Sequence, residues 1–249
     1  LGILGTDLTL EGPFKKGYGG SFLFNYRYST ISLIKDLGLV EVDGVPKFQD
    51  AAFKIQLPSK KMGTFSFFGL AGLSGSNLED VAIIDGWTEG DQPRPHDVVE
   101  QDYETQTYLL NTGMNHTLSL SKNSYLKTTL AYSVDGIQDD VFESKLLSIS
   151  DANGNHLRDS TTEKALNYKA RLKKTAYRGN VTYHHKIDAK NKIQLGTKYN
   201  LFTYDNQQSL FQDGLNPRKD LQNLDQNIST LRNFFAWKHR FNQDMTMVM

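Results

Sequence analysis

The chain contains no cysteine, which excludes a disulfide scaffold and any metal centre built on thiolates. It has six prolines in 249 residues, and no low-complexity or linker stretch divides it, so the sequence offers no place to cut it into domains. Nowhere do apolar residues run together for the roughly 18 positions that a transmembrane helix needs. Neither sign of charge is in excess, with 28 Lys and Arg against 28 Asp and Glu. A net charge of zero gives no global field to gather nucleic acid, and nucleic acid is not expected as a partner. A P-loop, a dinucleotide fingerprint and a nucleophile elbow are missing. No strand offers a suggestive Ser–His pairing either, so the chain does not read as an enzyme.

What the sequence does have is aromatic residues and alternation. Twelve Tyr and 14 Phe are generous for this length. Successive side chains of a strand point to opposite faces, and four segments obey that rule. Between residues 20 and 30, Phe22, Phe24, Tyr26 and Tyr28 oppose Ser21, Asn25, Arg27 and Ser29, with Leu23 out of place. Between 125 and 135, Leu126, Leu130, Tyr132 and Val134 oppose Lys127, Thr129, Ser133 and Asp135. Tyr177, Val181, Tyr183 and Ile187 oppose Lys174, Arg178, Asn180, His184 and Lys186, and Leu231, Phe235, Trp237 and Phe241 oppose Arg232, Lys238 and Arg240. Helical spacing explains none of the four segments as well.

The links between such segments are alternately short and long. Residues 15–18, 59–62, 121–124, 188–191 and 242–244 are polar hairpin turns. Between them lie the stretches 31–47, 75–101, 136–173 and 205–227, most of them rich in Gly, Asp, Asn, Ser or Pro and read as long loops. Strict alternation of this kind is how an outer-membrane barrel is threaded, and a soluble β-sandwich rarely shows it. The expected fold is therefore all-β: a transmembrane, antiparallel up-and-down β-barrel, of which ten strands are present and the first and last incomplete. The chain opens on Leu1 and stops at Met249 inside a strand, and the expectation is of an internal piece of a longer protein. An open sheet in lipid would leave two edges of unpaired backbone, each group costing several kcal/mol.

Residues 8–17, Leu-Thr-Leu-Glu-Gly-Pro-Phe-Lys-Lys-Gly, are followed by Ser21-Phe22-Leu23-Phe24-Asn25-Tyr26-Arg27-Tyr28-Ser29-Thr30 and a short apolar segment, 31–34. Together they resemble the first barrel hairpin of TonB-dependent outer-membrane receptors, most of all those in which a carboxypeptidase-like regulatory domain precedes the plug. Residues 48–50, 57–61 and 63–69 fit the next hairpin of the same group, and the specific likeness covers about the first 75 residues. The resemblance implies a 22-stranded barrel in the outer membrane of a Gram-negative bacterium, of which residues 1–249 would be the N-terminal half. It implies import of a scarce nutrient such as an iron chelate, cobalamin, a glycan or a peptide. Outer-membrane lipid and, through a part absent from this sequence, the TonB complex would be its partners, with a surface lipoprotein or other outer-membrane subunits as further candidates. The alternative is a structural receptor-like barrel subunit of a larger outer-membrane complex. The family shares no residue motif for ligand contact, so no site carries over by position.

Candidate ligand contacts come from the residues instead. The 75–101 stretch carries Trp87, Arg94 and His96, with Pro93 and Pro95 as stiffeners, and aromatic and Arg side chains on a loop are plausible anchors for a sugar, peptide or chelate. A solvated loop packing on its neighbours is the plainer account. Arg27, Arg178 and Arg232, with Lys127, Lys198 and Lys238, are expected on the interior wall, where a polar lumen alone would also explain them. Neither a cofactor nor a metal is expected. Residues 151–155 resemble the start of a calcium loop, but Gly154 is fourth and Thr162 twelfth where that loop needs Gly sixth and Glu twelfth, so a hairpin turn is the better reading. His184 and His185 are neighbours, hence on opposite faces, and cannot share a metal. Three Asn-X-Ser/Thr sequons, at Asn115, Asn180 and Asn227, are read as chance.

Overall fold

A strand must hand its backbone donors and acceptors to a neighbour, and here each alternating segment finds that neighbour next in sequence. The computed structural model describes residues 5–29, 34, 37–39, 44, 46–84, 98–150, 152–211, 219–242 and 245–248. Eleven strands lie there: β1 (Gly5–Pro13), β2 (Ser21–Ser29), β3 (Lys47–Ser59), β4 (Gly63–Ile84), β5 (Val98–Ser119), β6 (Ser124–Ser150), β7 (His156–Thr161), β8 (Ala165–Lys186), β9 (Asn191–Leu210), β10 (Lys219–Arg240) and β11 (Thr246–Val248). Ten form an antiparallel meander in the order β1-β2-β3-β4-β5-β6-β8-β9-β10-β11, and β7 folds back on the end of β6. The strand number and the up-and-down order agree with the sequence reading. The sheet is open, with β1 and β11 at its edges.

The short turns at 15–18, 59–62, 121–124 and 188–191 fall at one end of the meander, as expected. β10 and β11 meet at that same end, with residues 243 and 244 of the fifth turn outside the described residues. Tyr18 N–H donates to the Lys15 carbonyl at 3.1 Å. Gly63 has φ 78°, and a Cβ there would meet the Thr117 carbonyl oxygen at 2.2 Å, so this turn position takes glycine alone. The Asp188 carboxylate accepts from the N–H groups of Lys190 and Asn191 at 2.7 and 2.8 Å. With the Asn191 side-chain amide as the main cause, these donors hold its carboxyl below the usual aspartate value.

The long loops are a correction. Most of 75–101, 136–173 and 205–227 is strand: β4 runs on to Ile84 and β5 starts at Val98, β6 reaches Ser150 and β8 starts at Ala165, and β9 reaches Leu210 before β10 begins at Lys219. On these extensions the face that is apolar near the turns becomes polar, and period two is broken by runs such as Gln138-Asp139-Asp140. In β8 it persists but inverted, with Leu166, Tyr168, Ala170 and Leu172 opposing Asn167, Lys169, Arg171 and Lys173, a signal that the loop reading missed. Cross-strand polar pairs support the ladder there. Thr203 Oγ1 donates to Asn227 Oδ1 at 2.6 Å, Ser209 Oγ to Asp220 Oδ1 at 3.1 Å, and Arg171 meets Asp140 at 2.5 Å. Residues 152–155 form the tip of the β6–β7 hairpin, with Gly154 at φ 83°, as the turn reading of that motif required.

The register assigns every strand residue to one of two faces. Phe24 is opposite Phe53, Met114 opposite Leu130, Tyr132 opposite Tyr177, Tyr199 opposite Leu231 and Leu195 opposite Phe235, all on one face. Arg27, Lys127, Arg178, Lys198, Arg232 and Lys238 share the other. The apolar face is not covered: Leu130 is 51% exposed, Phe235 59% and Leu231 67%. Among the described residues the buried apolar side chains are Ala170 and Ala176. The surface measures 17308 Å² for 28.2 kDa, against about 11,000 Å² for a globular monomer of that mass. This is a single layer without a core of its own.

Aromatic rings facing glycine recur across the sheet. Phe53 faces Gly69, Phe68 faces Gly113, Tyr108 faces Gly136 and Phe234 faces Gly196. A ring laid over a bare backbone restores the contacts a glycine lacks. At Gly136 a Cβ would lie 2.5 Å from the Tyr108 ring and 2.7 Å from the Leu172 carbonyl oxygen. Gly136→Ala should therefore lower stability in urea titration by about 1–3 kcal/mol, the usual penalty of overpacking. Gly12→Ala, whose Cβ would find its nearest neighbour at 3.9 Å, should not. Equal losses in the two variants would show that the ring contact is not what excludes a side chain at residue 136.

Candidate functional site

The polar face is concave. A cavity of about 680 Å³ is bounded by residues of seven strands, from Arg27 on β2 through Asp50, Leu109 and Asp135 to Lys174 on β8 and Tyr204 on β9. A second hollow, about 610 Å³, lies on the apolar face among Phe67, Met114, Leu130, Tyr132, Tyr177 and Tyr199. It brings together few groups able to orient a ligand, whereas the first gathers cations, carboxylates, amides and rings. The concave face is therefore the candidate site.

Arg27 and Asp50 are direct cross-strand partners. The guanidinium reaches one carboxylate oxygen twice, from Nη2 at 2.7 Å and Nε at 2.9 Å, and lies over the Phe48 ring at 5.3 Å. Arg27 is thus already occupied by its own sheet. Arg178 donates from Nη1 to Ser133 Oγ at 2.8 Å and sits 5.5 Å over Phe202, with no carboxylate in ion-pair reach among the described residues. Arg232 stands directly opposite Lys198. Trp87, Arg94 and His96 lie outside the described residues. The wall also holds Phe48, Phe202, Tyr204 and Phe234. The sequence reading assigns these four rings to no face, and which strand lies beside which cation depends on register, which one sequence does not state. His184 and His185 fall on opposite faces, stacked on Tyr125 and Tyr183 respectively. Among the described residues no three His, Asp or Glu side chains converge as a metal site requires.

At the end opposite the short turns, one side-chain knot joins three segments. Lys164, in the link before β8, reaches Asp80 Oδ1 at 2.8 Å and Asp102 Oδ2 at 2.6 Å, and Asp80 N–H donates to Asp102 Oδ1 at 2.9 Å. Asp80 sits at φ 54°, rare for a residue with a side chain, inside the irregular stretch of register between Leu78 and Val81. The Asp102 carboxylate fixes that irregularity by accepting the amide it turns outward. Nothing in the sequence pattern flags this knot, since its three members are far apart and polar.

Scanned against models of protein families, the chain matches none, and a comparison with curated proteins also finds no match.

The knot sets a pH window. The Lys164 ammonium first, then the Asp80 amide, hold the Asp102 carboxyl below its ordinary value of 3.8. A depressed folded pKa contributes stability that is complete above the unfolded value and is lost as pH falls through the folded one. Asp102, then Asp80, push the exposed Lys164 above the ordinary lysine value of 10.5, so its share is complete below that value and lost as pH rises through the raised one. Hydrogen-exchange protection of the Asp80 amide, corrected for intrinsic rate, should be flat from about pH 5 to 9 and collapse only below 3.8. Protection already falling between about pH 6 and 5 would contradict the assignment.

Proposed function

We propose that this chain is the barrel portion of a TonB-dependent receptor in the outer membrane, importing a scarce nutrient. The observation that carries the reading is the height of the apolar face. Counting from the short turns, that face is mostly apolar over roughly the first 9–11 residues of the long strands, about the length a tilted strand needs to cross hydrocarbon. Single polar residues such as Thr112, Thr128, Thr197 and Asn233 break it. Phe65 to Leu73 on β4, Leu126 to Val134 on β6, Ile193 to Leu201 on β9 and Trp237 to Leu231 on β10 are such stretches. Farther along, the same face turns polar, with Gln138, Asp140, Lys173, Arg171, Asp205 and Asp225. Aromatic residues sit toward both limits of the band, Phe65, Tyr183 and Trp237 near the turns and Tyr108, Tyr177 and Tyr199 at the far side, as the two girdles of a barrel would.

A 22-residue strand such as β4 is about 70 Å long. A band roughly 25 Å high leaves the rest standing clear of the membrane, where Trp87, Arg94, His96 and the neighbouring stretches would meet cargo. The reading requires more than these strands. In hydrocarbon the outer edges of β1 and β11 must be paired by further strands to close the barrel, a plug must fill the lumen, and a TonB box must draw on the proton gradient. The polar concave face supports the reading, since a barrel would turn it to the lumen, and so does the resemblance of residues 8–30 to the first barrel hairpin of TonB-dependent receptors.

Two substitutions on β2 test the membrane claim in the full-length protein expressed in a Gram-negative host. Phe24→Arg puts a charge on the band at a cost of roughly 2–4 kcal/mol, and should abolish the heat-modifiable outer-membrane species on electrophoresis. Arg27→Ser breaks one half-exposed ion pair worth at most about 1 kcal/mol and should assemble normally. If Arg27→Ser failed to assemble as badly as Phe24→Arg, or if neither protein partitioned with the outer membrane, the reading would be lost.

A further inference from the structure

Lys198 occupies an unusual place on the concave face. Directly opposite it stand Asn180 on one side and Arg232 on the other, and along its own strand Gly196 and Asn200. The diagonal positions belong to Arg178 and Thr182 on β8 and to Thr230 and Phe234 on β10. Two of these neighbours are cations and none is an acid. Lys198 and Arg232 form a like-charge cross-strand pair with Cβ atoms about 4.5–5.5 Å apart, an arrangement that destabilises a sheet; Arg178 stands on the diagonal at about 7–8 Å. The rings available to these cations are aromatic: Phe234 lies 5.5 Å from Lys198 and Phe202 5.5 Å from Arg178.

The partition of charge reaches across the whole wall. The strand acids of β8, β9 and β10 are Asp205, Asp220 and Asp225, and the register puts each on the opposite face. A second like-charge rung, Lys186–Lys192–Lys238, crosses the same three strands near the turns. A polar lumen needs hydrophilic residues of any kind, and it does not need one sign to be excluded.

We infer that the wall formed by β8, β9 and β10 binds an acidic oligosaccharide, with Lys198, Arg178 and Arg232 taking its carboxylate or sulfate groups. Cations answer the charge, while Asn180, Asn200, Thr182 and Thr230 beside them match ring hydroxyls. The rings of Phe202 and Phe234 offer flat apolar surface to the C–H faces of sugars. An extended acidic peptide is less well served, because recognition of that kind uses free backbone groups at a sheet edge, and on β8 and β9 both ladders are taken. The inference rests on the import reading only for the route by which the ligand arrives.

The test is calorimetric titration of the purified full-length protein with trigalacturonate and with a sulfated heparin trisaccharide. Maltotriose serves as the neutral comparator and hexaglutamate as the peptide one. At least one acidic sugar should bind roughly tenfold or more tightly than maltotriose, and the affinity should fall as salt rises from about 50 to about 300 mM. Which sugar binds separates carboxylate from sulfate as the natural group. Lys198→Gln combined with Arg232→Gln should weaken binding roughly tenfold or more, and should leave the urea midpoint unchanged or raised because it dissolves a like-charge pair. Lys169→Gln, which removes a cation from the opposite face of β8, should bind as the parent does. Acidic sugars bound no better than maltotriose, hexaglutamate bound equally well, or a double variant that binds as the parent does would each overturn the inference. Membrane fractionation of the same preparation is independent. Acidic-sugar binding by a protein that does not partition with the outer membrane would keep this inference and remove the import reading, and partitioning without binding would do the reverse.

Discussion

When a strand is hydrogen-bonded on both sides, its backbone is satisfied whatever its side chains do, and its two faces become free to carry unrelated chemistry. The architecture of this chain depends on that freedom. A globular protein uses backbone pairing to build a layer and then hides one face of the layer under another. Here the ladder between neighbours is the principal source of order, and the faces diverge: Leu130, Phe235 and Leu231 lie open on one side while Arg178, Lys198 and Arg232 line the other. The absence of a core among the described residues is a consequence of the same arrangement. It also explains why glycines are tolerated in mid-strand, since a ring on the neighbouring strand can supply the contacts that a second layer would otherwise provide.

Side-chain chemistry is sorted along the strands as well as across them. Near the short turns the two faces differ most, apolar against cationic and amide. Toward the other end the apolar face becomes polar, while the concave face mixes polar residues with Leu109, Ile137 and Leu172. Specific pairs such as Thr203 with Asn227 and Arg171 with Asp140 join the strands there. The proposal of an outer-membrane receptor takes the first zone as the part in lipid and the second as the part in water. The inference about acidic sugars takes the cationic wall as chemistry directed at a ligand, because no acid of β8, β9 or β10 shares the face with its like-charge rungs.

How much of this could be read in the sequence depended on whether a pattern was periodic. The faces of Phe24, Leu130, Val181 and Phe235 followed from period two, and the short turns from their polar residues and spacing. The continuation of β6 through Gln138, Asp139 and Asp140 was read as loop, because a strand wetted on both sides alternates nothing. On the candidate site, the face of Arg27, Arg178 and Arg232 was legible, but their circumstances were not. That Arg27 is held by Asp50 while Arg232 confronts another cation is a matter of register, which belongs to pairs of strands. Trp87, Arg94 and His96 fall outside the described residues and stand as the sequence left them.

The knot of Lys164, Asp80 and Asp102 bears on how the chain acquires its shape. Its ion pairs join positions 84 and 62 residues apart in sequence, whereas the short-turn hairpins close over a handful. Loop closure of that length is entropically expensive until the intervening strands have already been drawn together. If the sheet zips hairpin by hairpin from its tight turns, the knot is among the last contacts made. Assembly then finishes at the far end of the strands, and the distorted backbone at Asp80 is set only once β5 and the start of β8 are in place to hold it.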